Sequence, residues 1–356
     1  MMNIALASGD SLSKTMKPRL IPTVPKSSQF LALCAWALLL IGYARGQSAN
    51  RPELLPSSNS NGPISMRNAM DSEEAHGSHK PRPLRVDVDL VLLPVTVSDP
   101  MNHAVTTLKK EDFAIYEGNQ QQEIRYFSTE DGPISVAILL DVSKSMSDKI
   151  DTEREALVEF FNNANPNDEY FAIAFSDRPR VLADSTQSID KLQGALLAAE
   201  PGGPTAMLDA VYLAVSKLRS ARYERKAILI LSDGGDNTSR YKLREIKRLV
   251  RESDVQIYAV GLFETFFFNT IEERLGKVWL GEITDATGGR TITVDNRGKV
   301  PEAAAAISRA MRNEYVLGYR PTSAAGTKWR KIKVRLTSTD ERSLRAYYKQ
   351  GYLAIR

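Results

Sequence analysis

Residues 134–145 read ISVAILLDVSKS. The apolar run from Ile134 to Leu140 suits a central parallel strand covered on both faces. It stops on Asp141, and Ser143 and Ser145 follow at alternate positions, so a loop leaving the strand aims its first, third and fifth side chains at one point. The same alternation of strand and helix continues downstream. Residues 148–164 place Ile150, Leu157, Phe161 and Ala164 on one helical face. Tyr170 to Phe175 reads as a second strand. Residues 206–220 read as a helix with Leu208, Val211, Tyr212, Val215 and Leu218 inward. Ala227 to Leu231 is a third strand, followed by helix 242–252, strand Gln256 to Leu262 and helix 302–313. Repeated strand–helix units imply an α/β fold, a doubly wound, mostly parallel, Rossmann-like sheet with right-handed crossovers.

The flanks change rhythm. Val86 to Val91 and Leu93 to Val97 alternate at period two, as strands do. Phe113 to Tyr116 and Glu123 to Phe127 follow, with the turn Glu117-Gly118-Asn119 between them. After Asn313 the β pattern returns at Tyr315 to Tyr319, Lys331 to Leu336 and Leu344 to Tyr348. Each flank is too small to hold a core alone. The expected organisation is an N-terminal β segment at 84–131, the α/β domain at 132–313 and a C-terminal β segment at 314–356. The two β segments combine into one small β-sheet domain.

Composition narrows the function. The chain of 356 residues has 47 basic and 43 acidic side chains. Residues 1–46 hold five of the basic and one of the acidic residues, so the remainder is balanced at 42 and 42. No basic excess is left to neutralise a nucleic-acid backbone. The single cysteine, Cys34, lies in the apolar run near the N-terminus, which excludes a disulfide framework or a thiolate metal site downstream. The three histidines are His76, His79 and His103, so a Ser-His-Asp triad in the main body is excluded by count.

The N-terminus reads as an address. Phe30 to Gly42 is uncharged, basic residues precede it, and Ala44 and Gly46 supply small residues for cleavage after Gly46. Residues 1–46 are thus expected to be a signal peptide, with Met1, Met2 or Met16 as the start. An uncleaved anchor is the alternative, although 13 apolar residues fall short of the roughly 20 that span a bilayer. Residues 47–83 contain 16 Pro, Ser or Asn residues out of 37 and no aromatic residue. That composition is expected to give a disordered linker.

In open α/β sheets, ligands bind beyond the carboxyl ends of the strands. Three polar clusters fall there: Asp141 to Ser145, Ser232 to Asp236, and the loop Pro201-Gly202-Gly203-Pro204-Thr205. They offer hydroxyls and carboxylates with no sulfur or imidazole, a set suited to Mg²⁺, Ca²⁺ or Mn²⁺ rather than zinc or copper. Asp209 and Asp236 lie nearby and are read as supporting or capping groups. Asn237-Thr238-Ser239 fits a glycosylation sequon. Phe263 and Phe266 to Phe268 read first as core cover, and second as an exposed contact patch.

Asp141, Ser143, Ser145, Thr205 and Asp233, in that order and on those elements, resemble the metal-ion-dependent adhesion site of von Willebrand factor type A (VWFA) domains. The resemblance covers about residues 132–313. The flanks resemble the bacterial VWFA-related family of acidobacterial type, through Leu108 to Phe113, Ile124 to Phe127, Tyr315 to Pro321 and Gly351-Tyr352. Pro204 departs from the pattern, standing where a smaller residue is common. The resemblance implies a bound Mg²⁺ (or Mn²⁺ or Ca²⁺), held directly by Ser143, Ser145 and Thr205, and directly or through water by Asp141 and Asp233. It further implies that the ion grips an Asp or Glu carboxylate of a protein partner. The N-terminal address adds the expectation of an exported protein, secreted or periplasmic, and the lack of a general-base histidine or a G-x-x-x-x-G-K loop adds that of a non-enzyme. The alternatives are a metal-dependent hydrolase and a metal-free structural or assembly component of the envelope.

Overall fold

The computed structural model describes residues 90–263, 271–322, 329–337 and 343–354. The expected leader and linker, the strand residues before Leu90, and Phe266 to Phe268 lie outside the described residues. In chain order the strands and helices are β1 (Val91–Ser98), β2 (Phe113–Glu117), β3 (Gln120–Gln122), β4 (Ile124–Glu130), β5 (Ser135–Asp141), α1 (Ile150–Asn162), β6 (Glu169–Phe175) and β7 (Pro179–Thr186). They continue with α2 (Ile189–Leu197), α3 (Met207–Leu218), β8 (Lys226–Ser232), α4 (Leu243–Glu252), β9 (Val255–Leu262), α5 (Ile271–Thr287) and β10 (Thr291–Val294). The last are α6 (Val300–Arg312), β11 (Glu314–Tyr319), β12 (Trp329–Leu336), β13 (Arg345–Tyr348) and β14 (Gly351–Leu353).

The α/β part is a six-stranded sheet in the order β10-β9-β8-β5-β6-β7, parallel except for the edge strand β7. Alternate residues of each strand feed opposite faces. Val136, Ile138 and Leu140 pack with α1, α2 and α6, while Ala137 and Leu139 pack with α3, α4 and α5. Every residue of β5 is buried, and each fully buried aliphatic side chain stabilises by about 1.5–3 kcal/mol. From β5 the chain moves to β6 on one side and later returns to β8 on the other. The order therefore reverses between β5 and β8, and the carboxyl ends of those two strands are where open α/β sheets place their ligands.

Several elements were not anticipated. β7 is an edge strand with a mixed, half-exposed pattern that carries no clean alternation. Helix α2 is only nine residues long, and α5 and β10 completed the α/β unit beyond the sequence reading. Tyr212, expected inward, is 39% exposed and stacks on Tyr241 with ring centroids 4.2 Å apart. The buried stripe of α3 is instead completed by Met207, Ala210 and Ala214. Phe263 packs, partly buried, against the core beneath α3, α4 and α5.

Both flanks build the second module, as two four-stranded sheets ordered β13-β1-β11-β4 and β14-β12-β2-β3. Val91 and Leu93 to Val97, expected in separate strands, belong to the single strand β1. Pro94 is tolerated there because β13 pairs only with Val95 to Ser98, leaving β1 one neighbour at the proline. The two sheets share a core of Leu93, Val95, Phe113, Ile115, Tyr315, Leu317, Ile332 and Val334. The chain crosses between modules at β4–β5 and α6–β11, where Arg225 donates to the Gly132 carbonyl at 2.6 Å, to the Met311 carbonyl at 2.7 Å and to Glu314 at 3.2 Å.

Candidate functional site

Asp141 ends β5 and is 0% exposed. Its Oδ1 accepts the Ser143 N–H at 3.0 Å, and its Oδ2 accepts the Ser232 hydroxyl at 2.5 Å. Ser232 is the last residue of β8. Because Leu140 pairs with Leu231, the register of adjacent parallel strands puts Ser232 beside Asp141. The Ser232 hydroxyl also accepts the Gly234 N–H at 2.9 Å, which shapes the loop carrying Asp233. Val142 and Met146 turn into the core. The hydroxyls of Ser143 and Ser145 lie 3.1 Å apart.

Thr205 arrives on a loop stitched to this one. The Gly202 N–H donates to the Val142 carbonyl at 2.7 Å, and the Lys144 N–H donates to the Gly203 carbonyl at 3.0 Å. Gly203 has φ +87°, a left-handed conformation that favours glycine. The Thr205 N–H donates to Asn237 Oδ1 at 2.9 Å, while its carbonyl accepts the Asn237 and Thr238 N–H groups at 3.0 and 3.2 Å. A Cβ built on Gly235 would lie 3.4 Å from Asp233 Oδ1 and 3.8 Å from the Thr205 hydroxyl, so these two groups face the same small space. All five residues singled out from the sequence therefore stand at one edge of the sheet.

Asp209 and Asp236 have separate work. Asp236 Oδ2 accepts the Leu208 N–H at 2.8 Å and the Ser239 hydroxyl at 2.6 Å. Asp209 accepts the backbone N–H groups of Arg240 and Tyr241. Together they tie the start of α3 to the loop after β8, which holds Thr205 and Asp233 in step.

The sequence reading placed Ser232 in a polar cluster and Asn237 in a sequon without giving either a role at the site, and it missed Lys149 and Glu153. Lys149 Nζ lies 3.6 Å from Asp233 Oδ2, with both side chains nearly buried. Glu153 is 0% exposed, and neither carboxyl oxygen has a hydrogen-bond partner. The available signal was the four-residue spacing of Lys149 and Glu153 at the start of a helix that follows Asp141. Burial, with Asp233 nearby as the second cause, pushes the Asp141 carboxyl up to about 7. Burial first, then the negative fields of Asp141 and Asp233, pushes Glu153 well above the usual carboxyl range. The cluster is therefore short of positive charge. Among the described residues, no group of three or more His, Cys, Asp or Glu is placed to hold a metal ion. A cation here would have to use the hydroxyls as well as the carboxylates, a donor set that fits a hard divalent ion.

Residues 136–235 match the family model described as the von Willebrand factor type A domain. The inter-alpha-trypsin inhibitor heavy chain H4 of Homo sapiens is 30% identical over 162 residues, 40% of this chain and 17% of that protein. The Bos taurus counterpart is covered to 15%, so the chain spans about a sixth of the length of the curated relatives it matches. A solved structure described as von Willebrand factor type A from Catenulispora acidiphila is 15% identical with a TM-score of 0.45, covering 68% of this chain and 65% of that one. An aerotolerance-related membrane protein from Bacteroides fragilis NCTC 9343 is 21% identical with a TM-score of 0.40, covering 50% of this chain and 98% of that one. The chain carries a von Willebrand factor type A domain, a domain type that serves in protein interaction and adhesion. No helix among the described residues is long and apolar enough to cross a membrane.

Proposed function

We propose that this protein binds a divalent cation, Mg²⁺ or Mn²⁺ or Ca²⁺, and through it captures an Asp or Glu carboxylate of a protein partner. The observation that carries the reading is the gathering of three hydroxyls and two buried carboxylates at the β5–β8 edge, with too little positive charge beside them. Ser143, Ser145 and Thr205 would hold the ion directly, and Asp141 and Asp233 directly or through water. Neutral hydroxyl ligands withdraw little positive charge from a cation, so it keeps the strength to accept a further carboxylate. The reading is of binding rather than catalysis, supported by the lack of any histidine after His103, which leaves only carboxylates as candidate bases. The order basic, apolar, small at residues 14–46 supports export to the periplasm or beyond. The flanking motifs support the bacterial VWFA-related family of acidobacterial type.

The test is calorimetric titration of the full chain with Mg²⁺ and Mn²⁺, repeated with an Asp-bearing peptide. Asp141→Ala and Thr205→Ala should each abolish ion binding while far-UV circular dichroism stays unchanged, because the apolar strands are untouched. Peptide binding should vanish in EDTA and return with Mg²⁺. Undiminished ion affinity in both variants would show the site to be misassigned.

A further inference from the structure

Lys149 caps the start of α1, and Glu153 follows one turn later, its N–H donating to the Lys149 carbonyl at 3.1 Å. Both side chains are buried beside the candidate site. The Lys149 ammonium lies 3.6 Å from Asp233, an ion pair too long for a good hydrogen bond. Glu153 has the opposite shortfall: two fully buried oxygens with no donor. A buried carboxyl group left without partners is costly, and so is an ammonium held by one long contact. The two deficits are complementary and sit on one helical turn.

We propose that Lys149 is a tethered counter-cation of the metal site, pairing with Asp233 when no divalent ion is bound and turning onto Glu153 when one is. This rests on the metal-binding reading above. Asp141, Asp233 and Glu153 set three carboxyl groups about the single ammonium of Lys149; a bound divalent ion favours their ionised forms, and three negative charges against one positive charge then match one divalent cation. A monovalent cation brings no more charge than the lysine already supplies, so the arrangement favours divalent ions. Because like charges repel at short range, Lys149 also weakens ion binding and keeps it exchangeable, and Glu153 provides the place to which the displaced ammonium retreats.

The experiment is calorimetric Mn²⁺ titration of the full chain as wild type, Lys149→Met, Glu153→Gln and the double variant, with thermal melting of each in EDTA and in Mn²⁺. Lys149→Met should bind Mn²⁺ at least about tenfold more tightly, melt earlier in EDTA and recover in Mn²⁺. Glu153→Gln should weaken Mn²⁺ binding in the wild-type background and have little effect when Lys149 is already methionine. Wild-type binding with unchanged or weaker affinity in Lys149→Met overturns the role of Lys149 alone. Glu153→Gln preserves volume and is read independently: unchanged affinity in that variant overturns the exchange even if Lys149→Met does not fold. Absence of Mn²⁺ binding in the wild type overturns the metal reading and this inference together.

Discussion

Asp141 is a carboxyl group closed off from water, and that sets a pH dependence. In the unfolded chain it titrates near 3.8, whereas in the folded protein burial and then Asp233 raise it to about 7. Between those values the folded state holds more protons than the unfolded state, so the metal-free protein should lose stability as pH rises from about 4 to about 7. Above that the contribution should level off, the full loss being on the order of 4 kcal/mol. Urea denaturation in EDTA across this range checks it, with Asp141→Asn as the control that should flatten the slope; an identical slope in the variant would assign it to other groups. A bound divalent ion favours the carboxylate, so stabilisation by Mg²⁺ should increase with pH over the same interval. Asp141, Ser143 and Ser145 were legible because a polar triplet closes an apolar run. The bond from Ser232 to Asp141 was not, since it arises only through the register of the two strands.

The loop after β8 shows how whole elements hold the site. Gly234 has φ +77°, and a Cβ there would come within 2.6 Å of the Gly276 carbonyl carbon on α5. Gly234→Ala should therefore cost about 2 kcal/mol or more, from backbone strain and from pushing α5 away. It should weaken Mg²⁺ affinity as well, because Asp233 precedes it. Urea denaturation and calorimetry on the same variant measure both, and an unchanged midpoint would mean that α5 shifts freely. Strands β5, β6, β8 and β9 were visible in the sequence because burial on both faces writes them as apolar runs. Edge strand β7 was not, because one flank of it meets solvent and its pattern blurs.

For the whole molecule, the decisive feature is that β11 lies between β1 and β4. Strand β11 therefore takes both of its neighbours from the segment before the α/β domain, and β12 and β13 each take one more there, β2 and β1. Tyr315 adds to this, its hydroxyl donating to the Val105 carbonyl at 2.9 Å and accepting the Leu108 N–H at 3.0 Å. A chain beginning at residue 132 should keep the α/β sheet but expose the tail after Asn313 to proteolysis within the time that the full chain resists it. Equal resistance in the two chains would show that the tail is held by the α/β domain instead.

The α/β class, the strands that run through the core and the five oxygen-bearing residues at their ends are readable from local sequence alone. Those features are local: buried strands need unbroken apolar residues, and the loops beyond them carry the polar ones. Tertiary structure decided what depends on distant neighbours. It placed Lys149 and Glu153 under Asp233 and Asp141, set Ser232 against Asp141 through strand register, and divided the flanking strands between two sheets. A charged residue at the start of a helix reads in sequence as solvated. Only the packing of α1 against the sheet edge strips its water away and makes it part of the site.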